Sequence, residues 1–173
     1  MNQRKTQAEQ FEQLLAPHMN MLYKTAWRLV GSSDEAEDLV QQVLVKLYPK
    51  TAKMQTIDRL APWLKQVLYR EFIDNFRKKS RRPENFLSTR GNPIEHFGEN
   101  EHNPEKLVER AGNAQRVQAA LDKLDGDNRA LILMHLVEGY TLAELGEIFY
   151  APPETLKTRL RRAKARLKKL LQT

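Results

Sequence analysis

Residues 153–170 read PETLKTRLRRAKARLKKL, and the reading of this stretch decides how the rest of the chain is understood. Leu156, Leu160, Ala163, Leu167 and Leu170 recur in steps of four and three, which puts them on one side of a helix. The remaining surface is basic. Lys157, Arg159, Arg161, Arg162, Lys164, Arg166, Lys168 and Lys169 stand against the single acid Glu154, a net +7 that equals the formal net charge of the whole chain. An ordinary solvated helix face, the competing reading, mixes signs so that acids and bases pair at i and i+4. A face of one sign repels itself unless a polyanion answers it, and nucleic-acid phosphate is the commonest answer.

The preceding residues supply a context. Thr141 and Glu144 fit a T-x-x-E capping box that opens a short helix with Leu142, Leu145, Ile148 and Phe149 inward. Tyr150, Ala151 and Pro152 make a break before the basic helix. A capped short helix, a tight turn and a long basic helix outline a helix-turn-helix, with the last helix placed for a DNA major groove; a generic helical hairpin shares the outline. Further upstream, residues 114–124 are amphipathic through Val117, Ala120, Leu121 and Leu124. Asp125-Gly126-Asp127 reads as a turn with Asp127 available as an N-cap. The following helix is expected to bury Leu131, Ile132, Leu133, Leu136 and Val137 and to stop at Gly139.

The N-terminal half is also helical by periodicity. Phe11, Leu14 and Leu15 begin an apolar face that Pro17 interrupts, and Met19, Leu22, Tyr23, Ala26, Leu29 and Val30 continue it to Gly31, suited to a left-handed stop. Ser32 and Glu35 have capping-box spacing, and Asp34, Glu35, Glu37 and Asp38 crowd the first turn of a helix that buries Leu39, Val40, Val43, Leu44 and Leu47 and ends near Pro49. Residues 50–59 form a polar connector. A third helix, with Pro62 in its first turn, buries Trp63, Leu64, Val67, Leu68, Phe72, Ile73 and Phe76. Its cations Lys65, Arg70, Arg77, Lys78, Lys79, Arg81 and Arg82 outnumber Glu71 and Asp74. With Tyr69 read as an exposed aromatic, this surface suits phosphate contact and base stacking on single-stranded nucleic acid; the competing reading is a basic helix end complementing its own dipole.

Between the halves, residues 84–113 lose periodicity, hold five asparagines, and carry six acids against three bases, which reads as an acidic flexible tether. Such a stretch has a coil reach of ~30 Å and a contour of ~100 Å. His96 and His102 lie in it beside Glu95, Glu99 and Glu101, and mobile ligands without a scaffold make poor metal sites. His18 and His135 fall within helical patterns. The chain of 173 residues has no cysteine, which excludes disulfides, thiolate metal sites and cysteine nucleophiles. No Ser/His/Asp set, glycine-rich phosphate loop or catalytic carboxylate pair stands out, so neither an enzyme nor a cofactor is expected. The nearly unbroken apolar run at residues 130–137 is far short of the ~20 residues a membrane span needs. The first residues lack the apolar core of a signal peptide, and a cytoplasmic location is expected.

Two blocks together resemble a known family. AWRLVGSSDEAEDLVQQVLVKLY and PWLKQVLYREFIDNFRKKSRR, then LDKLDGDNRALILMHLVEGYTLAELGEIF followed by ETLKTRLRRAKARL, are similar to the second and fourth conserved regions of bacterial RNA polymerase sigma factors of the sigma-70 family, in the extracytoplasmic-function (ECF) group. The resemblance implies an all-α protein of two small domains, region 2 at residues 1–83 and a region 4 helix-turn-helix at residues 114–173, joined by the acidic linker. It implies that Asp38, Gln41, Gln42 and Lys46 dock on the clamp of the largest subunit of core RNA polymerase. Lys65, Tyr69, Arg70, Arg77, Lys78 and Arg81 would meet the minus-10 element of promoter DNA and assist melting. Lys157, Thr158, Arg161 and Arg162 would face bases of the minus-35 element, with Thr155, Arg159 and Arg166 on phosphates. Arg70 stands where many members have asparagine, Gln42 where glutamate is commoner, and Tyr150 where glycine is usual. The two elements lie ~70 Å apart, beyond the coil reach of the linker and within its contour, so a compact free state and an extended state on polymerase are expected. In many relatives an anti-sigma factor holds the closed state. The rival reading is an autonomous helix-turn-helix DNA-binding transcriptional regulator.

Overall fold

The structure, a computed structural model, describes residues 6–80 and 104–172, with side chains at all of these except 80 and 104–111. The described residues form helices and no strand. The N-terminal half comprises α1 (Gln7–Leu15), α2 (Met19–Val30), α3 (Ser33–Leu47), the single turn α4 (Thr51–Met54) and α5 (Leu60–Ser80). The C-terminal half comprises α6 (Pro104–Asp122), α7 (Gly126–Ile132), a π-helical turn Leu133–Val137, α8 (Leu142–Phe149) and α9 (Pro153–Leu171). Arg81, His96 and His102 lie outside the described residues.

Local chemistry accounts for most of these boundaries. Pro17 and Pro49 each sit in a short 3-10 turn, Ala16–His18 and Tyr48–Lys50, because proline withholds the N–H that would carry the helix through. Gly31 ends α2 in the left-handed region (φ 74°), its N–H donating to the Trp27 carbonyl at 2.7 Å. Thr6 and Glu9 cap α1 reciprocally, a box not anticipated above. Ser32 is the N-cap of α3, but its side chain caps nothing and Glu35 turns to Lys79, 3.6 Å away. The capping-box spacing is present without the box, because Glu35 is taken by a tertiary partner. Asp125, not Asp127, caps α7 by accepting the Asn128 N–H at 3.0 Å. Helix α6 begins at Pro104, inside the stretch read as tether, so the C-terminal half starts earlier than the loss of periodicity implied.

The capping box that opens α8 is formed as expected: Glu144 accepts from the Thr141 N–H and hydroxyl, both at 2.8 Å, and the Glu144 N–H donates to Thr141 Oγ1 at 3.2 Å. The backbone hydrogen bond and then the hydroxyl hold the Glu144 carboxyl below the usual carboxylate range. A depressed folded-state pKa adds stability that is present above the unfolded carboxylate pKa and lost as pH falls through the folded one. Glu144→Gln is therefore expected to flatten the acid limb of the stability curve in that window, measured by urea unfolding at stepped pH; an unchanged limb removes Glu144 from it.

The apolar stripes meet in one continuous cluster that runs through both halves. From α2 and α3 come Leu22, Ala26, Leu29, Leu39, Val40, Val43 and Leu47, from α5 Leu64, Leu68, Phe72 and Ile73, and from the C-terminal half Leu121, Leu131, Leu145, Ile148 and Leu156. Trp63, Val67 and Phe76 are half-buried at its edge. Leu136 and Val137, expected in the core, are not there: they are 53 % and 54 % exposed, and Met134 is buried instead. The reason is the π turn, in which the wider i→i+5 register rotates the side chains off the stripe that a regular α-helix would continue. Val117 is likewise exposed, on the outer side of α6.

Candidate nucleic-acid interface

Helix α9 is placed by its buried side. Leu156, Leu160 and Ala163 are buried against α7, α8 and α6, so the opposite side must face outward. Pro153 opens the helix at a position where its missing N–H has no intrahelical acceptor to lose. The turn before it is tight: the Ala151 N–H donates to the Gly146 carbonyl at 3.2 Å, and a Cβ at Gly146 would lie 3.1 Å from the Ala151 carbonyl oxygen. Tyr150 holds a left-handed conformation (φ 52°) that glycine adopts without cost, and the residue is 81 % exposed.

On the outward side Thr155, Lys157, Thr158, Arg161 and Arg162 are all exposed. Thr155, Thr158 and Arg162 follow i, i+3 and i+7, with Lys157 and Arg161 one ridge over, so the five form one contiguous surface. Lys157 lies 3.8 Å from Glu154 on its own helix. Arg159 and Arg166 lie at the flanks and turn back onto the protein. Arg166 donates to the Lys123 carbonyl at 3.3 Å, and Arg159 lies 5.9 Å from the Phe149 ring centroid and donates to Asp127 at 3.3 Å.

Helix α5 presents its cations differently. Lys65 pairs with Glu138, Arg77 with Asp127, and the Arg70 guanidinium donates to the Glu147 carbonyl at 3.3 Å while lying 5.7 Å from the Tyr150 ring. All three partners belong to the C-terminal half; Lys78 stays exposed. Tyr69 corrects the expectation of an exposed aromatic: it is 1 % exposed, and burial, with Glu138 adding to it, pushes its hydroxyl above the ordinary phenol range. Its position between Leu68 and the inward Phe72 puts it on the core side of a helix that the two halves bury from both directions, so it cannot stack on a base in this arrangement.

On α3, Asp38, Gln41, Gln42 and Lys46 are exposed on one side, joined by Val45, 74 % exposed. Gln42 accepts from Asn75 at 2.6 Å and Lys46 pairs with the buried Glu71, so α5 braces this surface from behind. Asp38 and Gln41 have no such brace among the described residues.

The residues that hold the two halves together were missed in the sequence. Arg129 of α7 is buried, donating to the Leu29 carbonyl at 2.6 Å and the Asp122 carbonyl at 3.0 Å, with the Asp122 carboxylate 3.3 Å away. Burial pulls its pKa down and Asp122 opposes this. Gln118 reaches the Arg28 carbonyl at 3.5 Å. Their sequence separations from α2 are 100 and 90 residues, and no periodicity marks a pairing of that range. Among the described residues no three His, Asp or Glu converge as a metal-holding group, and no helix is long and apolar enough to cross a membrane. His135 donates through Nδ1–H to the Tyr140 carbonyl at 2.8 Å.

A helix-turn-helix with an outward cationic helix, joined to a second bundle with its own basic helix, defines a two-part helical nucleic-acid binder. Comparison with known proteins gives that class a family. The sigma-70 region 2 model matches residues 14–82 and the sigma-70 region 4 model residues 114–167. The ECF RNA polymerase sigma factor SigE of Mycolicibacterium smegmatis is 26 % identical over 166 residues, 93 % of this chain and 61 % of that protein, so the chain spans about three fifths of that relative's length. SigW of Bacillus subtilis, another ECF sigma factor, is 25 % identical over 175 residues, 98 % of this chain and 92 % of that one. Among solved structures, the sigma factor RpoE in its co-crystal with the anti-sigma factor NepR from Bartonella quintana superposes with a TM-score of 0.67 at 27 % identity, covering 94 % of this chain and 97 % of that one. The chain belongs to the sigma-70 family of RNA polymerase sigma factors, in the ECF group.

Proposed function

We propose that this protein is a promoter-specificity subunit: it binds core RNA polymerase, brings it to a two-part promoter and helps open the duplex, without catalysing a reaction of its own. The observation that carries this reading is the occurrence of both sigma-70 regions in one chain, in order, with the outward face of α9 exposed. The exposed side of α3, with Asp38, Gln41, Gln42 and Lys46, docks on the clamp of the largest polymerase subunit. Lys65, Arg70, Arg77 and Lys78 of α5, with Arg81 beyond its described end, hold the minus-10 element; Tyr69, buried while the two halves are closed, joins this set only where they part. Lys157, Thr158, Arg161 and Arg162 read minus-35 bases, and Thr155, Arg159 and Arg166 hold phosphates. The polymerase- and minus-10-binding unit is residues 1–83 and the minus-35 unit residues 114–173, with a tether between them that α6 shortens from its C-terminal side.

The protein works in the cytoplasm, where polymerase and promoter DNA are, and needs no cofactor. An anti-sigma factor is a further partner, a reading supported by the complex in which the RpoE relative was solved. The test is run-off transcription on genomic fragments with purified core polymerase, with and without the protein. Promoter-dependent transcripts are expected only with it. Their absence, with folded protein and a compatible polymerase, overturns the reading, and tight sequence-specific binding to duplex DNA without polymerase would favour an autonomous helix-turn-helix regulator instead.

A further inference from the structure

We propose that the closed arrangement of the two halves is a self-inhibited state in which Asp127 takes the place of a DNA phosphate between the two basic helices. The inference rests on the reading above of α5 and α9 as DNA contacts. One Asp127 oxygen, Oδ2, accepts from Arg77 Nη2 of α5 at 2.8 Å and from Arg159 Nη2 of α9 at 3.3 Å, and Arg77 Nε lies 3.2 and 3.3 Å from the two carboxylate oxygens. A forked guanidinium on a planar anion is also how arginine takes a phosphate, so the carboxylate occupies one cation of each DNA-contacting helix in the manner of the ligand.

The rest of the α5 surface is covered in the same way. Glu138 takes Lys65, and the Glu147 carbonyl and the Tyr150 ring take Arg70. Arg70 is poorly served there, since its Nε–H is buried without a partner among the described residues. Closure thus removes three of the four described cations assigned to the minus-10 element and leaves the outward face of α9 exposed.

A steric feature makes closure specific. A Cβ at position 126 would sit 2.2 Å from the Phe76 ring of α5. Gly126 lies in the first turn of α7 and its backbone is not in the left-handed region, so the local conformation accepts any residue. The Phe76 ring, across the junction, is what requires glycine. The junction is also built to be displaced. The Arg77, Asp127 and Arg159 side chains keep 42 %, 21 % and 30 % of their exposure, and half-exposed ion pairs are weak and screened by salt. A strand that presents many phosphates at once competes well with a single carboxylate.

The absence of native cysteine permits a direct measurement. A donor and an acceptor dye on Asn20→Cys and Gln172→Cys, both exposed and outside the assigned contacts, report the separation of the halves in the full chain. Asp127→Asn removes the phosphate substitute, and Gly126→Ala inserts the clashing Cβ while favouring helix α7 by propensity. Both variants are expected to lengthen the separation with the helical circular dichroism retained, and to bind a mixed-sequence single-stranded oligodeoxynucleotide of about 20 nucleotides at least ~5-fold more tightly than the parent. Phe76→Ala in the Gly126→Ala chain is expected to restore the short separation. Unchanged separation in both variants overturns the lock, and a longer separation with no gain in affinity overturns its inhibitory role. Run-off transcription with core polymerase distinguishes the two levels. A parent that supports promoter-dependent transcripts while the variants match it in separation and affinity overturns the lock alone; no transcript from parent or variants removes the reading on which it rests, and the lock with it.

Discussion

Arg129→Met is expected to lower the unfolding free energy of the chain by about 2–5 kcal/mol, read from urea unfolding as a lower midpoint with little change of slope. Arg129 is 7 % exposed and its guanidinium supplies donors to three backbone carbonyls, those of Leu29, Asp122 and Leu124. The Leu29 carbonyl lies in the last turn of α2, where no intrahelical N–H remains to take it, and the negative end of the helix dipole favours a cation there. Methionine fills much of the volume and satisfies none of these groups, so the loss measures unmet acceptors more than lost packing. Asp122 keeps 30 % of its side-chain exposure and re-enters water, which holds the loss below that of a fully stranded buried charge. Arg129→Lys keeps the charge without the fork and is expected to recover part of the difference. A loss under about 0.5 kcal/mol for Arg129→Met would show that water replaces the guanidinium freely.

Arg162→Ala is expected to weaken promoter binding by the polymerase-bound protein by ~1–3 kcal/mol on a cognate site and far less on a sequence with a scrambled minus-35 element. Arg162 is exposed on the outward face of α9, and among the described residues no carboxylate or carbonyl pairs with it. Its fork is free to take a guanine edge. Arg166→Ala is the contrasting variant: that side chain lies at the flank, already donating to the Lys123 carbonyl, and a phosphate contact there loses affinity equally on both sequences. Titrating both variants against cognate and scrambled duplexes at two salt concentrations separates the roles. An equal loss for Arg162→Ala on both sequences assigns it to the backbone.

The outcomes at Tyr69 and Asp127 show where reading residues in order stops. Tyr69 sits among cations on a basic helix, and nothing local says whether its ring faces solvent; α5 turns out to be covered on two sides, by its own bundle and by the C-terminal half, which leaves an aromatic at that position no route to water. Asp127 looks like an N-cap because it is an aspartate before a helix. Asp125, two residues earlier, holds the extended backbone that a cap needs, which frees Asp127 for Arg77 and Arg159. The exposure of Leu136 and Val137 has a similar origin, because a π turn shifts the register without leaving a mark in composition.

The sequence by itself determined the helices, most of their ends and the division of α9 into a buried and a cationic side. These follow from interactions within four residues: apolar periodicity, proline and glycine at the ends, and reciprocal caps such as Thr141 with Glu144. The same stretches were sufficient to place the chain in its family. What only the tertiary structure decided is which cations are available. Arg162 and Arg77 are alike in sequence terms, each an arginine on a basic amphipathic helix. Arg162 is left to solvent because Leu156, Leu160 and Ala163 point the other way into the core. Arg77 is taken by a carboxylate 50 residues further along the chain. Pairings at that range depend on how two bundles meet, and that is set by the shape of their surfaces, down to the missing side chain of Gly126 against the ring of Phe76.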